Sequence, residues 1–90
     1  MTAVVDRDNK LAGIFTDGDL RRTLESSIDI QSTKMTDVMT INPFVVSADT
    51  LAYNAVNIIQ EQKITSIVVV KENKVIGALN IHDLFRAGLM

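Results

Sequence analysis

The sequence has no cysteine, which excludes disulfide cross-links and thiolate metal centres. A chain without cysteine suits a reducing compartment, and the expected location is the cytoplasm. Histidine occurs once, at His82, so imidazoles cannot cluster around a metal. No apolar stretch approaches the roughly 20 residues that span a bilayer. The longest, from Ile67 to Val70, has the length of a strand. The opening residues, Met-Thr-Ala-Val-Val-Asp, lack the basic region, apolar core and cleavage site of a secretory leader. Neither sign of charge dominates: nine Lys and Arg stand against eleven Asp and Glu, a net charge of −2. Nothing pulls such a surface toward nucleic acid or anionic lipid, and neither is expected as a partner. What is present is a 47% hydrophobic content, enough for a core and too much for disorder. Ninety residues make one small domain or two very small halves. A chain of this size buries only about two thirds of its unfolded surface, so association would help it.

The chain repeats itself. Residues 1–26 lie over 65–90 at an offset of 64 without a gap. Val4-Val5 falls on Val68-Val69, Asn9-Lys10 on Asn73-Lys74, Gly13 on Gly77, Asp19-Leu20 on Asp83-Leu84, and Arg22 on Arg86. Thr2 meets Ser66, Arg7 meets Lys71 and Asp8 meets Glu72. Two copies of one unit usually pack about a pseudo-twofold axis.

Residues 2–6 and 10–16 read as strands joined by a polar turn, and 66–70 and 74–80 as their copies. Ser66 to Val70 is an almost unbroken β-branched run, the pattern of a strand covered on both faces. A short helix should follow each hairpin, at 17–25 and 81–88. Leu20 and Leu24 are expected on the apolar face of the first, Leu84 and Phe85 on that of the second, with Gly88 as its stop. Residues 26–40 are mostly polar and read as a linker, with one helical turn over Met35–Met39. Pro43 forces extension, and 44–46 reads as a strand. The clearest helix spans 50–62. Leu51, Ala55, Ile58, Ile59 and Gln62 recur at helical spacing, widened by Ala52 and Val56, with Asp49 or Thr50 as the cap. The second half thus runs strand–helix–strand–strand–helix, and the first half shows the last three elements alone. The chain reads as a fragment cut within its first repeat. Methionines 1, 35, 39 and 90 fall near element ends, as adaptable packing.

The sharpest local pattern is Gly13-Ile-Phe-Thr-Asp-Gly-Asp19 and its echo Gly77-Ala-Leu-Asn-Ile-His-Asp83, each where a strand hands over to a helix. Thr16 with Asp19, and Asn80 with Asp83, have the spacing of a capping box, worth roughly 1 kcal/mol and implying no ligand. Asp19 with Arg22, and Asp83 with Arg86, can pair at i,i+3, although a cation late in a helix also suits its dipole. Arg21 has either option. The same geometry suits a nucleotide. Free amides and a hydroxyl at a helix start attract phosphate, and a carboxylate accepts the two hydroxyls of a ribose. The two readings are compatible. Asp6-Arg-Asp-Asn9 suggests a calcium loop, but Leu11 stands where glycine is required and no bidentate acid follows. Asp17 and Asp19 make a weak case for acid–base catalysis, since nothing around either signals apolar burial.

These features resemble a tandem pair of cystathionine-β-synthase (CBS) domains, the Bateman module, across nearly the whole chain. Met39-Thr-Ile-Asn-Pro43 matches the family's usual lead-in to a repeat. Gly13-Ile-Phe-Thr-Asp-Gly-Asp-Leu-Arg-Arg22 and His82-Asp-Leu-Phe-Arg-Ala-Gly88 look like the C-terminal CBS pair of arabinose 5-phosphate isomerases. The resemblance implies an α+β fold of β-α-β-β-α units, the first truncated to β-β-α. It implies residues 1–26 as the end of repeat one, 27–38 as linker and 39–90 as a complete repeat two. It implies a preceding sugar-isomerase (SIS) domain that performs aldose–ketose isomerisation for the synthesis of Kdo, the acidic sugar of lipopolysaccharide. The fragment itself would be non-catalytic. Its expected effector is a nucleotide or nucleotide sugar, such as AMP or CMP-Kdo. The ribose-binding acids would be Asp19 and Asp83, with Asp17 alongside, and the hydroxyl position Thr16. Asn80 replaces that hydroxyl in repeat two, with His82 beside it. Thr40, Ile41 and Asn42 would flank the base, as would Thr65, Ser66 and Ile67, matched in repeat one by Met1, Thr2 and Ala3. The alternative role is subunit assembly without ligand. Because repeat one is incomplete, the chain is expected to self-associate, most simply as a homodimer.

Overall fold

The computed structural model describes residues 1–88. Met90, one of the methionines expected to pack near element ends, lies outside them. The chain divides into two compact units at Pro43. The mixed α/β class expected from the sequence is present, as β-β-α and one further helical turn in the first unit and β-α-β-β-α in the second.

In the first unit β1 (Thr2–Val5) pairs antiparallel with β2 (Leu11–Phe15), and α1 (Asp17–Glu25) follows directly. The polar stretch after α1 is organised around Asp29, whose carbonyl and carboxylate accept from Gln31, Ser32 and Thr33. A single helical turn, α2 (Met35–Val38), then returns the chain to the sheet. The Ile14 amide donates to the Thr40 carbonyl at 2.9 Å, and the Thr40 amide to the Ile14 carbonyl at 2.8 Å. The segment read as the lead-in to repeat two is therefore hydrogen-bonded to the hairpin of repeat one.

In the second unit β3 (Val45–Ser47) runs parallel to β4 (Ser66–Lys71), joined by α3 (Ala52–Gln62). β5 (Lys74–Asn80) pairs antiparallel with β4 and leads into α4 (Ile81–Arg86), two residues shorter than expected. The core joins Val46, Ala55, Val56, Ile59, Ile67 and Leu84. Consecutive residues of a strand point to opposite faces. Ile67 and Val68 are both fully buried, so β4 is covered on both sides, as its β-branched run predicts.

Several local expectations are corrected. The cap of α3 is neither Asp49 nor Thr50 but Leu51, which makes no side-chain cap bond. The Ser47 hydroxyl donates to Asp49 at 2.6 Å and can accept from the Thr50 hydroxyl at 3.0 Å, so these polar groups close a turn one residue too early to cap. The helix ends without glycine: Lys63 takes φ 54°, and the Ile64 amide reaches back to the Ile59 carbonyl, as in a Schellman motif. The leucines of α1 are largely exposed, Leu24 at 63%, and its buried residues are Asp19 and Thr23. In α4 Leu84 is buried as expected, while Phe85 is exposed.

The gapless repeat also needs correction. In the first hairpin Val5 pairs with Leu11, and in the second Val70 pairs with Val75. Both ladders shift register next to a valine pair, Val4/Val5 and Val69/Val70. The first strands of the two hairpins therefore correspond at an offset of 65, while Gly13 and Gly77 keep the offset of 64. The extra residue lies in the first turn. Lys71-Glu-Asn-Lys74 is a two-residue connection with positive φ at both Glu72 and Asn73, the mirror-image turn that matches strand twist. The first turn is a three-residue connection with Asn9 alone at positive φ. Asp6 stabilises it by accepting the amides of Asp8 and Lys10 at 2.8 and 2.9 Å. That carboxylate serves the turn rather than a cation.

The matching glycines differ in their surroundings. A Cβ on Gly13 would sit 2.7 Å from the Thr40 carbonyl oxygen and 2.8 Å from the Met39 sulfur. On Gly77 the nearest atom, Val69 Cβ, would be an ordinary 3.8 Å away. Gly13→Ala should lower unfolding stability by about 1–3 kcal/mol, because a backbone oxygen cannot step aside. Gly77→Ala should leave it within about 0.5 kcal/mol, and urea denaturation of both variants checks the contrast.

Candidate functional site

The first strand-to-helix handover is built around a buried carboxylate. Phe15 ends β2, and Thr16 keeps extended backbone angles as the N-cap of α1. Its hydroxyl accepts the Asp19 amide at 3.3 Å. In return Asp19 Oδ2 accepts from the Thr16 amide at 2.8 Å and the Thr16 hydroxyl at 2.9 Å. The other oxygen, Oδ1, accepts from the Arg22 guanidinium at 2.5 Å and from the Thr40 hydroxyl at 2.9 Å. A carboxylate offers about four acceptor positions, and here all are in use. The residue is 4% exposed. Burial alone would raise its pKa. The Thr16 amide and hydroxyl, the Thr40 hydroxyl and Arg22 together outweigh burial and hold it below the usual carboxylate range.

The second handover shares the plan and differs in its accessibility. Asn80 caps α4: its side-chain oxygen accepts the His82 amide at 2.8 Å, and its Nδ2 donates to the Ser66 hydroxyl at 3.2 Å. Asp83 Oδ2 accepts the Asn80 amide at 3.3 Å, and Oδ1 accepts from Arg86 at 2.6 Å. The Asp83 side chain is 49% exposed, and among the described residues these are its two partners. Two of its roughly four acceptor positions thus have no partner among the described residues. Both arginines act as i,i+3 partners of the acids while sitting in the last turns of their helices. The ion-pair and dipole roles coexist.

The structure brings some of the candidate residues together and separates others. Thr16, Asp19 and Thr40 form one hydrogen-bonded cluster. Thr2 and Ala3 lie opposite Phe15 and Ile14 in the ladder, next to that cluster in the chain. Asp17 is exposed and bonds to none of it. Ile41 and Asn42 are exposed, Asn42 at positive φ. Ser66 and Asn80 are paired across β4 and β5, and the Ile81 amide donates to the Thr65 carbonyl at 2.8 Å. Ile67 is a core side chain, 1% exposed, so it has no apolar surface to offer a base. By the register, Met1 and Thr2 are the counterparts of Ser66 and Ile67. His82 is exposed, its ring 6.3 Å from that of Phe85. The bond from Thr40 to Asp19 spans 21 residues, and no local pattern announced it. Thr23, which carries no motif in the sequence, donates its hydroxyl to the Asp19 carbonyl at 2.8 Å.

The family model for the CBS domain matches residues 1–26 and 35–89. The chain belongs to the CBS domain family. Along its full length it is 50% identical to arabinose 5-phosphate isomerase KdsD of Pseudomonas aeruginosa, and 40% identical to KdsD of Escherichia coli K12. It spans 28% and 27% of those two proteins. Among solved structures, CBSX2 in complex with AMP superposes on 97% of this chain and 69% of its own, with 27% identity and a TM-score of 0.79. Among the described residues, no helix of this CBS chain is long and apolar enough to cross a membrane.

The two acids should respond differently to removal. Asp19→Ala deletes the acid of a capping box and leaves the half-buried Thr16 amide and hydroxyl without their partner, and should cost about 1–2 kcal/mol of stability. Asp83→Ala, at an exposed site, should cost less than about 1 kcal/mol. A carboxyl whose pKa is lowered on folding contributes stability above its unfolded pKa and loses it as pH falls through the folded value. Stability should therefore decline below the ordinary carboxylate range, and decline less steeply in Asp19→Asn. Urea titrations across acidic pH measure both effects.

Proposed function

We propose that this CBS chain is the regulatory portion of an arabinose 5-phosphate isomerase, and that it binds a nucleotide or nucleotide sugar such as CMP-Kdo. In this reading a preceding SIS domain isomerises the sugar phosphate in the cytoplasm, for the lipopolysaccharide pathway, and the CBS portion carries no catalytic group. The observation that carries the proposal is Asp83. It stands at a strand-to-helix handover, half exposed, with two acceptor positions unpartnered among the described residues. A vicinal diol offers two donors at the spacing of one carboxylate, and the bonds are charge-assisted. Asn80 and Ser66 add polar groups beside it, and the AMP complex of CBSX2 supports a nucleotide as the class of ligand. A ligand alters the attached enzyme only through unequal affinity for two states of the module.

The measurement is calorimetric titration of the chain with AMP, CMP and CMP-Kdo. At least one should bind, and Asp83→Ala should weaken it about 10–150-fold, the value of a charge-assisted bond pair. Unchanged affinity in that variant would remove Asp83 from the site.

A second reading, assembly without ligand, draws on the other acid: every acceptor position of Asp19 is already filled. A ligand at 100 times its dissociation constant stabilises the fold by about 2.7 kcal/mol. Absence of any thermal shift across nucleotides and nucleotide sugars would favour assembly. Both readings have the chain self-associate, because Leu20, Leu24, Ile28, Ile30 and Ile41 leave apolar surface exposed on the first unit. Sedimentation equilibrium should return a dimer, and a monomer at high concentration would contradict it.

A further inference from the structure

Asp19 and Asp83 occupy equivalent positions and are not equally available. The difference traces to two hydroxyls, that of Thr16, which Asn80 lacks, and that of Thr40. Each acid supports its own helix cap and pairs with an arginine three residues on. Asp19 alone, among the described residues, also accepts a hydroxyl from elsewhere in the chain, that of Thr40. Thr40 is itself solvent-exposed and held to β2 by a reciprocal pair of backbone bonds with Ile14, at 2.9 and 2.8 Å.

We propose that Thr40 is a built-in competitor for Asp19: its hydroxyl occupies the acceptor position that one hydroxyl of a ligand diol would take. The inference rests on the proposed nucleotide binding and says how the first of the two acids is regulated. A diol reaching Asp19 Oδ1 must displace the Thr40 hydroxyl, because the remaining positions are filled by Thr16 and by Arg22. Occupancy by ligand and closure of residue 40 against the helix are then mutually exclusive at that oxygen. The close fit around Gly13 makes the contact discrete, since the Thr40 carbonyl and the Met39 sulfur already abut it. Thr40 is thus a positioning residue that opposes the ligand, which differs from the contact residue implied by the family resemblance. The two roles predict opposite effects of removing the hydroxyl.

The test compares the wild-type chain with Thr40→Val, which keeps shape and removes the hydroxyl, and with Thr40→Ser, which keeps the hydroxyl. Each is titrated calorimetrically with AMP, CMP and CMP-Kdo, in a background carrying Asp83→Ala so that Asp19 is read alone. Competition predicts binding about 5–10-fold tighter in Thr40→Val, the value of one released hydrogen bond, with Thr40→Ser restored to the parent affinity. Binding detected in Thr40→Val alone also supports it. Equal or weaker binding in Thr40→Val overturns the competitor role and leaves nucleotide binding standing. If none of the three ligands binds any variant, nor the chain with Asp83 intact, the nucleotide reading fails and the competition fails with it.

Discussion

The Asp19 carboxylate is the constraint on which the first unit depends. A carboxylate that is almost wholly removed from water must have its lone pairs answered, and four donors from three residues answer them. Two of those donors start the helix, one comes from its last turn, and one comes from a segment 21 residues away. A single side chain therefore joins the hairpin, α1 and the returning chain. The short reach of hydrogen bonds makes this arrangement specific: a shift of one ångström in residue 40 would leave Oδ1 with Arg22 as its one partner.

The two repeats give equivalent residues the same partners and opposite burial. In α4 the leucine after the acid is buried and the acid is half exposed. In α1 the acid is buried and the leucine faces solvent to a large extent. The second unit contains α3, whose Ala55, Val56 and Ile59 give Leu84 an apolar partner surface. In the first unit the Thr40 hydroxyl is brought to Asp19 instead. Which face a short helix buries is thus decided by what lies opposite. Its own pattern, nearly the same in both copies, does not decide it.

Much of the fold could be read from the residues. The hairpins, the helix over 17–25 and the long helix after Leu51 follow from polar turns, β-branched runs and the spacing of Ala55, Val56 and Ile59. Both capping boxes follow from a polar residue and an acid three positions apart. Other features were hidden for identifiable reasons. The one-residue difference between the first turns is invisible in an ungapped comparison, because Val4-Val5 and Val68-Val69-Val70 match equally well at either offset. The cap of α3 was misassigned because Ser47, Asp49 and Thr50 bond among themselves. The Thr40–Asp19 bond carries no periodicity and no motif of its own.

Membership of the CBS family and the positions of both acids at helix starts were settled by the amino-acid order, since cap geometry and hairpin pairing act over a few residues. The availability of those acids was settled by folding. The Thr16 hydroxyl, replaced by an amide at Asn80, fills one acceptor position locally, and Thr40 fills another from 21 residues away, while nothing among the described residues does the same to Asp83. Local chemistry put a carboxylate at each helix tip and gave one of them a capping hydroxyl, and the long-range contact of Thr40 completed its closure.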